Sequence, residues 1–316
     1  MSKESFILGV DTSNYTTSVA VMTEDGELLA NIKRPLYVKD GERGLRQSDA
    51  VFSHVKNLPE AFLEAKKIIS GGNILAVGVS NAPRRIKGSY MPCFLSGVSA
   101  ASALSLASGA PLYEFSHQCG HIMAAIYSSG NFELLDKDFA AFHISGGTTE
   151  LLKVHPLDNG FEAEHLGGTK DLNAGQIIDR IGVALGLPFP CGRHLETLAY
   201  ENKTKIPKRK ISRDGLWVNL SGLENLALKL YTDTGDKSLT AAFVFEYLGR
   251  AIAEMSEEYE RLYGKTHFVY AGGVMSNSII KAMLKERFDC SFAEPAMSAD
   301  NAVGIAYLAY RANKKN

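Results

Sequence analysis

One pattern occurs twice in this chain and limits its fold more than any other feature. Residues 6–11 form a run suited to a buried strand and residues 12–16 (Thr12-Ser13-Asn14-Tyr15-Thr16) a hydroxyl-rich turn. A second strand over 18–22, a turn around Gly26 and a third strand over 28–32 follow. The same order returns at 139–144, Ser145-Gly146-Gly147-Thr148-Thr149, 150–154, Asp158-Asn159-Gly160 and 161–166. A chain that repeats a β-meander in this way is expected to build two related halves facing each other, with a phosphate-sized cleft between them. Turns of this kind offer backbone N–H groups and hydroxyls to an anion, and Asp11, at the end of the first strand, can hold a cation. Gly146 and Gly147 allow close backbone approach to an anion. A plain solvated hairpin is the alternative reading of the first turn.

The rest of the chain alternates helix and strand. Residues 46–69 read as a helix whose apolar positions are Val51, Val55, Leu58, Phe62 and Ala65. Residues 74–80 read as a buried strand, followed by a cationic loop, Arg84-Arg85-Ile86-Lys87, suited to a phosphate backbone. Residues 94–107, rich in Ala, Ser, Gly and Leu, read as a tightly packed buried helix. A short strand over 111–115 leads into the helix of His117 and His121. Residues 171–185 form a helix bearing Gln176, Asp179 and Arg180. Residues 202–215 are basic and polar and read as a surface excursion, and 239–262 as a long amphipathic helix. Gly272-Gly273, between a strand over 267–271 and a helix, suits an adenosine or phosphate group. Asp300-Asn301 heads the last helix, as an N-cap or a carboxylate ligand.

His117 and His121 are four residues apart. On a helix that places both imidazoles on one face with Cβ atoms roughly 5–6 Å apart, close enough to grip one metal ion. The intervening residues, Gln118-Cys119-Gly120, contain no general-base Glu, which argues against a zinc protease. The formal charge of −1 gives no overall pull toward nucleic acid or membrane, so a polyanion has to be met by a local patch. Cys93, Cys119, Cys191 and Cys290 form no C-x-x-C pair and read as reduced thiols. No apolar stretch approaches ~18 residues, so the expectation is a cytoplasmic protein without membrane contact. A length of 316 residues suggests two lobes. They are expected at 1–135 and 136–299, with the helix over 300–316 packing back on the first.

Taken in order, these motifs resemble the TsaD family, formerly O-sialoglycoprotein endopeptidase or peptidase family M22. The resemblance rests on His117-x-x-x-His121, Ser145-Gly146-Gly147-Thr148-Thr149, Leu185-Gly186-Leu187 and Pro190-Cys191-Gly192. It continues through Ser221-Gly222-Leu223, Ala271-Gly272-Gly273-Val274-Met275-Ser276-Asn277 and Ser298-Ala299-Asp300-Asn301, covering almost the whole chain. It implies an α/β actin-like ATPase fold, of the sugar-kinase and heat-shock-protein type, with two ribonuclease-H-like lobes. It implies transfer of threonylcarbamoyl from threonylcarbamoyl-AMP to N6 of adenosine 37 in tRNAs reading ANN codons. By the same resemblance His117, His121 and Asp300 are the ligands of one divalent metal, iron or zinc. The resemblance also implies that Ile144, Ser145, Gly146, Gly147 and Thr148, with Asp179, Gly192 and Asn277, bind the substrate, with an adenine nucleotide, threonylcarbamoyl-AMP or ATP, as ligand. Partners would be tRNA, a smaller inactive paralogue of TsaB type and an ATPase of TsaE type.

The chain departs from the family pattern at named places. Thr148 replaces a His, Asn14-Tyr15 an acid pair, Asp11 a Glu and Gln176 a Glu. Ala82-Pro83-Arg84 stands for Gly-Pro-Gly, and Cys191 sits within a Pro-Gly-Gly turn. Metal and nucleotide motifs remain while acids are missing, which reads as a divergent paralogue. Asp11 is left as the candidate catalytic acid. The alternatives are a non-catalytic nucleotide- and metal-binding paralogue and a small-molecule kinase or carbamoyltransferase on the same fold.

Overall fold

The structure, a computed structural model, describes residues 4–13, 15–37 and 45–315. Asn14, part of the first turn, and residues 1–3 lie outside the described residues. The chain opens with β1 (Ser5–Asp11), β2 (Thr16–Thr23) and β3 (Leu28–Pro35). α1 (Gln47–Ile69), β4 (Asn73–Ala82), α2 (Phe94–Ser108), β5 (Leu112–Ser116) and α3 (His117–Ser129) follow. The second half opens likewise, with β6 (Phe139–Ile144), β7 (Thr149–Leu157) and β8 (Gly160–Thr169). Then come α4 (Ala174–Ala184), α5 (Gly192–Glu201), β9 (Arg213–Asp214), β10 (Trp217–Val218), α6 (Ser221–Thr234) and α7 (Lys237–Tyr263). β11 (Phe268–Ala271), α8 (Ser278–Lys285), β12 (Cys290–Phe292), α9 (Pro295–Ser298) and α10 (Val303–Lys315) complete the chain.

Contacts separate two units. One holds residues up to 136 together with 155–162 and 296–316; the other holds 137–154 and 163–295. Compared with a cut at 135/136, the tip of the β7–β8 hairpin and residues 296–299 group with the first unit. Its sheet runs β3-β2-β1-β4-β5, with β1/β2 and β2/β3 antiparallel and β1/β4 and β4/β5 parallel. The second sheet runs β12-β11-β6-β7-β8-β10-β9, with β6/β7 antiparallel and β11 parallel to both β6 and β12. Read from the third strand of each meander, β3-β2-β1-β4-β5 and β8-β7-β6-β11-β12 are one order. The repeat seen in the meanders therefore extends over a whole sheet. In each sheet the parallel strands bring their carboxyl ends to one edge, where ligands of open α/β sheets bind.

Burial corrects two readings of helices. On α1 the buried positions are Ala50, His54, Leu58, Ala61 and Ala65, while Val55 is 57% exposed. Three alanines let the helix lie close on β2 and β3, so side-chain size outweighed hydrophobicity in choosing the face. α2 is not buried all round: Phe94, Ser96, Gly97 and Ala101 are covered, and Leu106 is 87% exposed. The second unit packs its core around α7, where Phe243, Phe245, Tyr247 and Leu248 are buried. Each such side chain contributes roughly 1.5–3 kcal/mol of transfer free energy.

α10 lies against α3, β1 and β4. Its Gly304 sits on the backbone of α3: a Cβ there would overlap the carbonyl of Gly120 and stand 2.7 Å from the amide of Ala124. Gly120 lies between the two histidines, so this glycine-on-glycine crossing sets how close the end of the chain comes to them.

Candidate functional site

Strand β5 ends at Ser116, whose hydroxyl accepts the N–H of Cys119 at 3.2 Å and starts α3. His117 and His121 follow one turn apart, with Nε2 atoms 2.9 Å from each other. Asp300 brings Oδ1 to 3.6 Å from His117 Nε2 and 3.4 Å from His121 Nε2. Asp300 is held by its neighbours. Asn301 Nδ2 donates to the carbonyls of Met297 and Ala299, and Asn301 Oδ1 accepts from Val303 N–H at 3.0 Å. Ser18 Oγ accepts the N–H of Ala302 at 2.7 Å. The capping role thus falls to Asn301, leaving the Asp300 carboxylate for the histidines.

Asp11 stands behind His117. It is fully buried, and its Oδ2 takes the Nδ1 proton of His117 at 2.7 Å. Its Oδ1 accepts the N–H of Ser13 at 2.7 Å. Each oxygen thus accepts one hydrogen bond, and Asp11 is placed to orient His117. Burial opposes the charge on His117, but Asp11 and Asp300 outweigh it and push the imidazole up to about 10. Burial likewise opposes ionised Asp300, yet His117 and His121 hold its carboxyl well below the usual range. The three donor atoms all lie within 4.8 Å of one another. Donors around a tetrahedral zinc ion at 2.0–2.1 Å stand about 3.4 Å apart, which the three observed separations bracket.

In the second unit, Ile144 ends β6 and the turn follows. Ser145 N–H donates to Thr148 O at 2.8 Å, and Ser145 Oγ accepts the N–H of Gly147 at 3.3 Å. Gly146 and Gly147 are exposed, and a Cβ on either would meet nothing within 4 Å. The close fit is at Gly175 of α4, where a Cβ would stand 2.6 Å from Gly146 N and 2.7 Å from Ser145 O. Asp179 on α4 accepts the N–H of Cys191 at 2.8 Å, just ahead of Gly192, and burial pushes its carboxyl up. Asn277 caps α8 through Oδ1, which accepts from Ile280 N–H at 3.0 Å. Its Nδ2 is buried with no partner among the described residues.

Residues 37–307 match the family described as TsaD, tRNA N6-adenosine threonylcarbamoyltransferase. A tRNA N6-adenosine threonylcarbamoyltransferase of Streptococcus suis (strain 05ZYH33) is 32% identical over 336 aligned positions, spanning 100% of this chain and 95% of that protein. The chain belongs to the TsaD family. TsaD relatives carry the name of an acyltransferase, so this is a member of an enzyme family. Solved structures support the fold at lower identity. Component A of (R)-2-hydroxyglutaryl-CoA dehydratase from Acidaminococcus fermentans is 15% identical with a TM-score of 0.55, covering 99% of this chain and 100% of that one. A ROK family glucokinase from Streptomyces griseus in complex with glucose and AMPPNP is 14% identical with a TM-score of 0.50, covering 96% and 99%. The α/β actin-like ATPase fold of the sugar-kinase type that the TsaD motifs implied is the fold of this chain.

Relative to the TsaD pattern, the first turn behaves differently from its sequence reading. Thr12 and Ser13 are buried, and Thr12 Oγ1 donates to Cys93 O at 3.0 Å and accepts from Gly97 N–H at 3.1 Å. The hydroxyl that was to meet a phosphate is engaged by α2. The cationic loop after β4 lines a cavity of about 400 Å³ with Ser116 and Cys119, and Arg85 bonds Asn159. No helix among the described residues is long and apolar enough to cross a membrane.

Two side chains escaped the sequence reading. His54, fully buried on α1, bonds Thr17 Oγ1 through Nδ1 at 2.8 Å, and its Nε2 has no partner among the described residues. Burial pushes its imidazole down to about 4, against the opposing charges of Asp11 and Asp300. The spacing Ala50-His54-Leu58-Ala61-Ala65 was its visible signal. Asp171 pins the start of α6, accepting from Leu220 N–H at 2.8 Å and from the Ser221 hydroxyl at 2.6 Å. Nothing in its sequence context pointed to that contact, 49 residues away.

Proposed function

We propose that this chain transfers threonylcarbamoyl from threonylcarbamoyl-AMP to N6 of adenosine 37 in tRNAs reading ANN codons. One observation carries the reading: two imidazoles and a carboxylate converge at the carboxyl edge of the first sheet, with Asp11 orienting one imidazole from behind. That arrangement fits a resident divalent ion, iron or zinc. Its donor spacing suits such an ion, and a carboxylate on Nδ1 leaves Nε2 as the ligand atom. When bound, the ion supplies Lewis acidity to the donor's carbonyl or phosphate oxygen.

The chain's own residues do the rest. The turn of Ile144, Ser145, Gly146, Gly147 and Thr148, exposed at its two glycines, suits the nucleotide, and the buried Asn277 Nδ2 is a donor awaiting an acceptor. Asp179 and Gly192 complete the proposed nucleotide contacts. In the transfer, the N6 nitrogen forms a bond to the carbamoyl carbon, the bond from that carbon to the phosphate oxygen breaks, and AMP leaves with the electron pair. The N6 proton passes to solvent or to the leaving phosphate.

The partners follow the same reading: tRNA, a TsaB-type paralogue and a TsaE-type ATPase. Phe52, Val55 and Leu63 on α1 and Leu95 and Leu106 on α2 are apolar and more than half exposed, which supports a protein partner on these helices.

The test is reconstitution of the full chain with both protein partners, donor and tRNA, followed by nucleoside mass spectrometry. Modified adenosine 37 with the wild type, and its loss with His117→Ala, is the expected result. Donor and metal binding without transfer would instead establish the non-catalytic paralogue. Turnover of ATP or carbamoyl phosphate without tRNA would establish the small-molecule transferase.

A further inference from the structure

Between β8 and α6 the second unit carries a concentration of positive charge that the metal and nucleotide residues do not use. Residues 201–212 contain Lys203, Lys205, Lys208, Arg209 and Lys210 against Glu201 alone, in a chain whose net charge is −1. All five cations are exposed. None of them forms an ion pair among the described residues, and several acids of the second unit are paired with other cations. Glu254 and Glu258 pair with Arg213, Glu246 with Arg250, and Asp214 with Lys170.

The backbone beneath these cations is not loose. Ile211 is 3% exposed in the core, and Ile206 packs against the same core. Arg250 Nη2 donates to Arg209 O at 2.8 Å, Tyr247 Oη donates to Lys210 O at 3.4 Å, and Asn219 N–H donates to Ser212 O at 2.8 Å. The segment has no helix or strand of its own before Arg213. Its fixed points are two isoleucines turned inward and three carbonyls held by neighbours, which leaves the five cationic side chains directed to solvent. A strip fixed in this way spans at most roughly 25 Å from Lys203 to Lys210. A flexible tail would lose conformational entropy on binding; a pinned strip has lost much of it already.

We propose that residues 203–210 form a preorganised docking strip for the phosphate backbone of an RNA. This deepens the proposed function and rests on its tRNA acceptor. Phosphate neutralisation by lysine and arginine is independent of base sequence, and it suits a chain with no overall positive charge that must still hold a polyanion. An acidic membrane is the weaker fit, because the strip's own apolar residues, Ile206 and Ile211, point into the core and are not available for insertion.

The test compares the full-length wild type with a variant carrying Lys205→Ser, Lys208→Ser, Arg209→Ser and Lys210→Ser. Equilibrium binding is measured to a fluorescent tRNA, to a homopolymer RNA and to phosphatidylserine vesicles, each across a salt series. Binding of the donor nucleotide and the circular-dichroism melt are recorded in parallel. The expected result is a loss of tRNA and homopolymer affinity of roughly 10- to 100-fold near 0.1 M salt. The slope of log affinity against log salt should fall by about 2–3, as it does when that many phosphate contacts are lost. Donor binding and the melt should not change. The charge-retaining variant Lys208→Arg with Lys210→Arg should bind RNA as the wild type does.

Equal RNA affinity and salt slope in wild type and variant overturn the proposal, as does strip-dependent capture of vesicles without capture of RNA. Loss of RNA binding that the arginine variant shares, or that accompanies a lowered melt, also overturns it. The reading of the reaction fails on a different result: strip-dependent RNA binding by a wild type that transfers nothing in the reconstituted mix.

Discussion

After β1 the chain turns through Thr12 and Ser13, both buried; after β6 it turns through Gly146 and Gly147, both exposed. The two turns occupy matching places in one strand order, yet they have become different kinds of surface. In the first unit α2 comes down on the turn: a Cβ on Gly97 would stand 2.7 Å from Thr12 Oγ1. The acid that ends β1 is committed to His117. Charge is gathered there in Asp11, His117, His121 and Asp300. In the second unit α4 supports the turn from one side through Gly175, and a Cβ on Gly146 or Gly147 would meet nothing within 4 Å. A duplicated sheet thus determines where ligands can be met. The side chains packed against each edge decide which chemical groups that edge presents.

Five substitutions can break or sharpen this contrast. The largest effect is expected from Gly304→Ala. A methyl group there meets the α3 backbone, which cannot rotate away, so the gain in helix propensity of about 1 kcal/mol is overwhelmed. Destabilisation of about 3 kcal/mol or more is expected, read as a lower urea midpoint together with lost metal binding. Gly146→Ala, with nothing near its Cβ, should stay within about 0.5 kcal/mol of wild type. Similar losses at both glycines would erase the difference between a packed edge and an open one.

The next effect depends on pH. His54 has its imidazole pushed down to about 4 by burial, so below its ordinary value near 6.5 the unfolded chain binds a proton that the folded chain refuses. Its contribution is complete above pH 6.5 and is lost as the pH falls toward 4. The loss amounts to about 3 kcal/mol. Stability curves of wild type and His54→Gln should diverge over that window, with the variant flatter. Parallel curves would show that His54 is not buried in neutral form.

Asp11→Asn retains the size of the side chain but removes the charge behind His117. Metal affinity should fall roughly 10- to 100-fold, as read by competition with a chelator, while nucleotide affinity stays at the wild-type value. A matching loss of nucleotide affinity would mean that the two edges are not separable in function.

A smaller effect than at His54 is expected in the second unit at the exposed Asp171, which pins the start of α6. Asp171→Ala should cost about 1 kcal/mol, discounted for solvent screening. Thermal melting should register it without any change in metal or nucleotide affinity.

Much of this was legible along the chain. The repeated meander, the His117/His121 pair and the glycine turns are local patterns, and spacing over a few residues encodes them. Their order carried the family resemblance and with it the fold class. The helix faces were less legible. Val55 is more hydrophobic than Ala50 or Ala61, yet the alanines are buried, because close packing on the sheet selects for size. The contact of Asp11 was also hidden: the end of a strand is a place for an acid to serve a ligand, and only the tertiary structure shows that one of its oxygens meets His117.

By itself, then, the sequence determined the paired architecture, the family and the identity of the chemical groups, since each is written in neighbouring residues. Tertiary structure alone decided which groups meet. Asp11 reaches His117 across 106 positions, and Ser18 anchors the start of the last helix across 284. Such pairings depend on how closely helices and strands approach, and at Gly304 and Gly120 that distance is set by the absence of a side chain, which no local pattern of hydrophobicity records.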